Sequence, residues 1–295
     1  MRQSRRCFLL IFTLAAAASL MLIGCAVEQP ASSTFDGQRA LGLVETQVKF
    51  GPRIPGSQAH QQTVEWIQKE LRNSGWNVSL QEGSVLNHPV RNIIAQRGAG
   101  SPWLVLGAHF DTRMFADQDP DATKRKQPVP GANDGASGVA VLLELARVLP
   151  KNLKGQVSLM FFDAEDQGDF AGWDWILGSR LAADRLGAKP DAVVVIDMIG
   201  DADLNIYQER NSNANLNQSI WSVAAGLGYQ NQLISKPKYA MEDDHTPFLA
   251  RGIAAADLID FDYPYWHTTQ DTLDKVSAKS LSAVGLTLLE WIESR

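Results

Sequence analysis

Short apolar runs that each end on an acid or a histidine constrain this chain more than any other feature. The run 103–108 stops at His109-Phe110-Asp111, the run 157–162 at Asp163-Ala164-Glu165-Asp166, and the run 192–196 at Asp197. Two more, 92–95 and 253–259, have the length of buried strands. Helical spacing recurs between the runs, at about 58–73, 137–149, 174–186, 216–227 and 278–293; Val64, Ile67 and Leu71 mark one face of the first, and Gly75 stops it. No repeat or composition break interrupts the alternation from about Arg39 onward. The pattern predicts one α/β domain, a mostly parallel central mixed β-sheet flanked by helices. Ligands bind such sheets beyond the carboxyl ends of the strands, where the acids and histidines fall.

Of 295 residues, 45% are apolar and 20% charged, enough to bury a large core and to exclude a disordered chain. The first 24 residues stand apart. Arg2, Arg5 and Arg6 precede an apolar run, 8–23, that ends in Leu22-Ile23-Gly24-Cys25. That run is short of the roughly 20 residues a spanning helix needs and suits an export signal cleaved before a lipidated Cys25. Residues 25–38 are then expected to be a lipidated cysteine with a flexible tether, and 39–295 the catalytic domain. The expected location is the bacterial cell envelope, with lipid on Cys25 holding the enzyme to a membrane. Cleavage removes three arginines and no acids, so the formal charge of −6 becomes −9, which argues against a nucleic-acid surface. Cys7 leaves with the signal and Cys25 carries lipid, so any metal site must be built from histidine and carboxylate.

Three further clusters join those at the strand ends. They are the glycine-rich turn 131–138 with Asp134 at its centre, Glu242-Asp243-Asp244-His245, and Tyr265-Trp266-His267-Thr268. Carboxylates gathered out of water at one sheet edge demand a cation, and imidazole with carboxylate but no thiolate suits a hydrolytic Zn²⁺ site with an open position. Asp134 alone reads as a helix cap, and Glu165-Asp166 alone as a surface turn; in company they read as a site. Asp111 is placed to support His109, and His245 to orient the acids around it. His60 and His88 lie outside the clusters and read as structural. The stretch 113–130 reads as a solvated loop.

The order His109-x-Asp111, Asp134, Glu165-Asp166, Asp197 and His267 resembles metallopeptidase family 28, the zinc aminopeptidases, over residues 40–295. Five segments resemble one branch of it, the glutaminyl-peptide cyclotransferases: Gly51-Pro52-Arg53-x-Pro55-Gly56-Ser57, Phe162-Asp163-Ala164-Glu165-Asp166, Leu177-Gly178-Ser179-Arg180, Glu242-Asp243-Asp244-His245-x-Pro247-Phe248 and Trp266-His267-Thr268. The resemblance implies that Asp134, Asp166 and His267 hold one zinc, that Glu165 is the general acid/base, and that Asp197 and Asp243 complete an acidic network. It implies a peptide or protein N-terminus as substrate. A cyclase must keep water from its site, and indoles near the metal would wall a small pocket, Trp266 beside His267 as first candidate and Trp173 as second. An aminopeptidase of the same family would carry a second zinc on His109 and Asp197, bridged by Asp134.

Overall fold

The computed structural model describes residues 34–295. The expected signal and Cys25 lie outside them. Among the described residues no helix is long and apolar enough to cross a membrane.

The chain opens with α1 (Gly37–Phe50), capped by the Asp36 carboxylate accepting from Gln38 N and Arg39 N. It continues through α2 (Gln58–Asn73), β1 (Asn77–Val85), β2 (His88–Gly98), β3 (Trp103–His109), α3 (Ala136–Val148), β4 (Gln156–Phe162), α4 (Leu177–Asp184) and β5 (Ala192–Asp197). It closes with β6 (Ile206–Gln208), α5 (Ala214–Gly226), β7 (Leu233–Pro237), α6 (Thr246–Ala250), β8 (Ala255–Ile259) and α7 (Ala278–Glu293). The sheet order is β1-β2-β4-β3-β5-β8, and β6 pairs with β7 apart from it. β4, β3, β5 and β8 are parallel, whereas β1 and β2 run antiparallel, so the sheet is mixed with a parallel centre, as expected.

Alternation along the strands divides the core between the two faces of the sheet. Leu104, Leu106 and Ala108 of β3 pack with Val194 and Ile196 of β5 against the face covered by α1, α2, α3, α5 and α7. Val105, Met160, Phe162, Val193 and Val195 point the other way, toward α4 and α6. Each such side chain taken fully from water contributes about 1.5–3 kcal/mol before the cost of ordering it.

The start of the domain falls earlier than expected. Phe35 is only 6% exposed and packs where Gly285 of α7 leaves no room for a Cβ, whose nearest ring atom would lie at 2.2 Å. Residues 35–38, read as tether, therefore belong to the folded body. This end is held at the far end of α3, where Arg147 donates to Thr34 O at 3.2 Å and Asp36 N donates to Glu144 at 2.9 Å.

Candidate metal centre and active site

The parallel register brings the strand-end acids to one edge, because His109 lies opposite Phe162 and Asp197 opposite Ile259. Just past the ends of β4 and β5 the backbone turns through left-handed conformations, Ala164 at φ 52° and Met198 at φ 48°, and it does so again at His267, φ 55°, in the segment after β8. Non-glycine residues adopt that region at a cost and only where the surroundings impose it. The bends at Ala164 and Met198 adjoin Glu165 and Asp197, and His267 is itself the residue at the third bend.

Two groups of side chains converge there, each closely enough to share one cation: Asp134, Asp166 and His267, and His109, Asp134 and Asp197. All five residues are buried. His267 Nε2 lies 2.9 Å from Asp166 Oδ1 and 3.8 Å from Asp134 Oδ2. His109 Nε2 lies 3.1 Å from both Asp134 Oδ1 and Asp197 Oδ1. Both oxygens of Asp166 lack a well-formed hydrogen bond, although Arg113 Nη1 stands 3.5 Å from Oδ1. A buried carboxylate so poorly satisfied within the protein, with only nitrogen and oxygen donors around it, fits a divalent metal of the zinc type.

The electrostatics are those of crowded acids. Burial pushes the Glu165 carboxyl well above its ordinary value; Asp166, Asp243 and Asp244 add to the rise, and His109 opposes it. Asp197 is pushed up to about 7, first by burial, with Asp134 and Asp243 adding and His109 opposing. Burial alone would lower His109, but Asp197, Asp111 and Asp134 outweigh it and hold the imidazole well above its usual value. Asp111 plays the supporting part expected: its oxygens accept from Glu165 N at 3.0 Å and Gln167 Nε2 at 3.0 Å, and Oδ1 lies 3.5 Å from His109 Nδ1.

A cleft of about 210 Å³ opens over this centre, lined by Glu165, Asp197 and Asp243 below and by Trp175, Met241, Phe261 and Trp266 around the wall. Trp266 stands where expected, stacked on the His267 ring at 3.7 Å. Trp173 does not. It stacks on His88 at 3.6 Å and packs beside Val90 and Leu181, so the wall indole of this segment is Trp175. The segment between β4 and α4 has no periodic pattern and bends through left-handed Asp169, Gly172 and Ile176, so sequence spacing could not tell the two indoles apart. His245 packs behind Asp243 with its Nε2 3.3 Å from Glu209 Oε2, both side chains fully buried. His60 is a satisfied structural group, its Nε2 2.7 Å from Asp163 Oδ1.

The stretch 113–130 is not the solvated loop its charges suggested. Arg113 is 1% exposed, donates to Asp117 at 2.6 Å and is sandwiched between Phe170 and Trp175 at 4.3 and 4.7 Å. Asp119 accepts from Thr269 N and Oγ1 at 3.0 and 2.6 Å, and Gln118 N donates to His267 O at 3.2 Å, so the loop braces the segment carrying His267. Residues 121–127, by contrast, are largely exposed. Sequence reasoning also missed Asp271, four residues beyond His267. Its oxygens accept from Asn133 N, Asp134 N and Tyr263 OH.

A mixed α/β sheet with carboxylates and histidines gathered at its carboxyl edge is the arrangement of a zinc exopeptidase-like fold. Peptidase family M28 matches residues 92–292, and the chain belongs to that family. In solved structures it is similar to a Zn-dependent exopeptidase from Parabacteroides distasonis, with 32% identity and a TM-score of 0.85 over 90% of this chain and 100% of that one. It is similar to the glutaminyl cyclase of Porphyromonas gingivalis as well, with 32% identity and a TM-score of 0.83 over 89% of this chain and 99% of that one. Among curated relatives, the glutaminyl-peptide cyclotransferase-like protein of Bos taurus is 27% identical over 260 residues. That match takes in 75% of this chain and 66% of the relative, just under two thirds of its length. The family resemblance read from the strand-end motifs is thereby borne out.

Proposed function

We propose that the chain is a zinc-dependent glutaminyl-peptide cyclotransferase, converting an N-terminal glutamine to pyroglutamate with release of ammonia. The observation that carries this reading is the small cleft, walled by Trp175 and Trp266, that places Glu165, Asp197 and Asp243 together beside the Asp134, Asp166, His267 group. It has room for about one side chain, and its indoles keep water from a reaction whose nucleophile is the substrate's own amine.

Asp134, Asp166 and His267 would hold one zinc ion. When bound, the ion supplies a Lewis acid for the γ-carbonyl of the glutamine. Asp197 and Asp243 hold the α-amine of the substrate. That amine attacks the γ-carbon, the new C–N bond closes a five-membered ring, and the γ-nitrogen leaves as ammonia. Because nucleophile and electrophile share one residue, orientation in the cleft replaces an encounter, and the protein provides no nucleophile of its own. Glu165 takes a proton from the attacking amine and returns it to the departing nitrogen, a task that suits a carboxylate raised above its ordinary range.

Purified protein given glutaminyl peptides and ordinary peptides in parallel, with zinc counted per chain, tests the reading. Ammonia release with one zinc supports it. Free amino acids with two zincs would assign the His109, Asp134, Asp197 group a second metal and make the chain an aminopeptidase.

The signal-like first 24 residues support export and lipid attachment at Cys25, with the enzyme held at the cell envelope. Labelled fatty acid that enters the chain, and fails to enter a Cys25→Ser chain, is the result this expects.

A further inference from the structure

We propose that Asp271 is a positioning residue for Asp134, setting the loop that presents the Asp134 carboxylate to a metal. The inference rests on Asp134 as a metal ligand, and is independent of which reaction the metal serves. Asp271 belongs to neither group of candidate ligands, yet its side chain is fully buried beside them.

Its contacts explain why a carboxylate stands there. Oδ1 accepts from Asn133 N at 2.8 Å and Oδ2 from Asp134 N at 3.1 Å, so the two oxygens hold two consecutive peptide N–H groups. Tyr263 OH donates to Oδ1 at 2.7 Å. The main chain of Asp271 closes the attachment, its carbonyl accepting from Ala132 N at 3.2 Å and its N–H donating to Thr268 O at 3.3 Å. One residue thus ties the turn carrying Asp134 to the segment carrying His267.

The other side of the turn is equally fixed. Arg53 donates to Pro130 O at 2.6 Å and Gly131 O at 2.5 Å, and a Cβ on Gly131 would sit 2.6 Å from Asp134 O and 2.7 Å from Arg53 Nη2. The turn is held from two directions and has no slack to take up a displaced carboxylate. Two adjacent N–H donors need two acceptor oxygens. An asparagine offers one, and would turn its own NH₂ toward a donor. The turn must then shift, and Asp134 with it.

Zinc dissociation constants by chelator competition, and visible spectra of cobalt-loaded protein, test this on the whole chain. Asp271→Asn is expected to bind zinc about ten- to hundredfold more weakly, the range seen when partners behind a ligand are lost, and to shift the cobalt bands. Tyr263→Phe leaves both N–H bonds in place and is expected to weaken zinc less, in the same direction. Asp134→Asn with Asp271→Asn should bind zinc no more weakly than Asp134→Asn alone. Unchanged zinc constants and cobalt bands in both single variants overturn the proposal. Should Asp271→Asn fail to fold, an unchanged zinc constant in Tyr263→Phe overturns it, and a weakened one supports it. A parent chain that binds no zinc overturns the ligand reading of Asp134 itself, and this inference with it.

Discussion

The rings of Trp175 and His267 lie parallel, 10° apart in plane with centroids at 5.9 Å, so the wall of the cleft and a candidate metal ligand form one stacked unit. Removing Trp175 opens the wall and takes away one of the two indoles that flank the imidazole. Trp175→Ala is expected to lower kcat/KM for glutaminyl peptides at least tenfold. Trp173→Ala, at the indole that stacks on His88 instead, should leave kcat/KM within about threefold and cost stability alone, about 1–3 kcal/mol for lost packing. Steady-state kinetics of the two variants side by side check the assignment.

Glu165→Gln keeps the shape of the side chain and removes the base. Ammonia release should fall by about 10² to 10⁴, the usual contribution of a positioned acid/base, with zinc content unchanged. Burial and neighbouring carboxylates raise the Glu165 carboxyl above the ordinary range, a rise that a bound cation would oppose. The attacking amine of the substrate must be unprotonated, so kcat/KM should fall as pH drops through the range of an α-amine, about 7.7–8.0. A profile of kcat/KM that is flat across that range would remove the free amine from the role of nucleophile.

Stripping the metal should abolish activity, and added zinc should restore it. The stripped protein keeps Glu165, Asp166 and Asp197 crowded, all with raised pKa values. Carboxyls raised by folding give their full stability at low pH and lose it as pH rises. The gap in Tm between loaded and stripped protein is expected to widen from pH 5.5 to pH 8, where the ligands also no longer need to shed protons. Thermal scans at the two pH values measure it.

Asp260 offers the same argument away from the candidate ligands. Burial pushes its carboxyl up to about 6, against 3.8 ordinarily, while Asn205 N and Asp262 N donate to it. The folded chain holds this proton more tightly, so its contribution to stability is complete below pH 3.8 and lost as pH rises through 6. Asp260→Asn gives up one of these two bonds at every pH but removes the titration, so its stability relative to the parent should rise by about 1–3 kcal/mol from pH 4 to pH 8. Denaturant titrations at both pH values decide it.

The hairpin between β1 and β2 turns on Leu86 and Asn87, both left-handed, at φ 50° and 68°. Asparagine tolerates this conformation, and leucine, 53% exposed here, adopts it at a cost. Leu86→Asn is expected to raise stability by about 0.5–1 kcal/mol without touching activity.

What the sequence disclosed followed from periodicity. The parallel strands are apolar because both their faces are covered, and their ends are marked by acids that have no place in a core, so β3, β4, β5 and the residues after them were legible. β1 was not, since both of its faces are largely exposed and it is held by pairing to β2 rather than by burial. Trp175 and Asp271 were not legible either. Each acts through a loop whose path is set by contacts from distant segments, Arg113 in one case and Asn133 with Asp134 in the other, and such contacts leave no repeat in the chain. The charges of 113–130 misled because buried Arg113 and Asp119 look in sequence like their exposed neighbours.

The attachment of Thr34 at Arg147 has a practical outcome. Asp134 stands just before the first turn of α3 and Arg147 in the last, about 20 Å away along the helix axis. A bead, sensor chip or carrier protein joined at residue 34 would thus be attached at the end of α3 away from the cleft. Immobilised through that end, the enzyme should turn over short peptides and bulky protein termini at the same relative rates as it does free in solution.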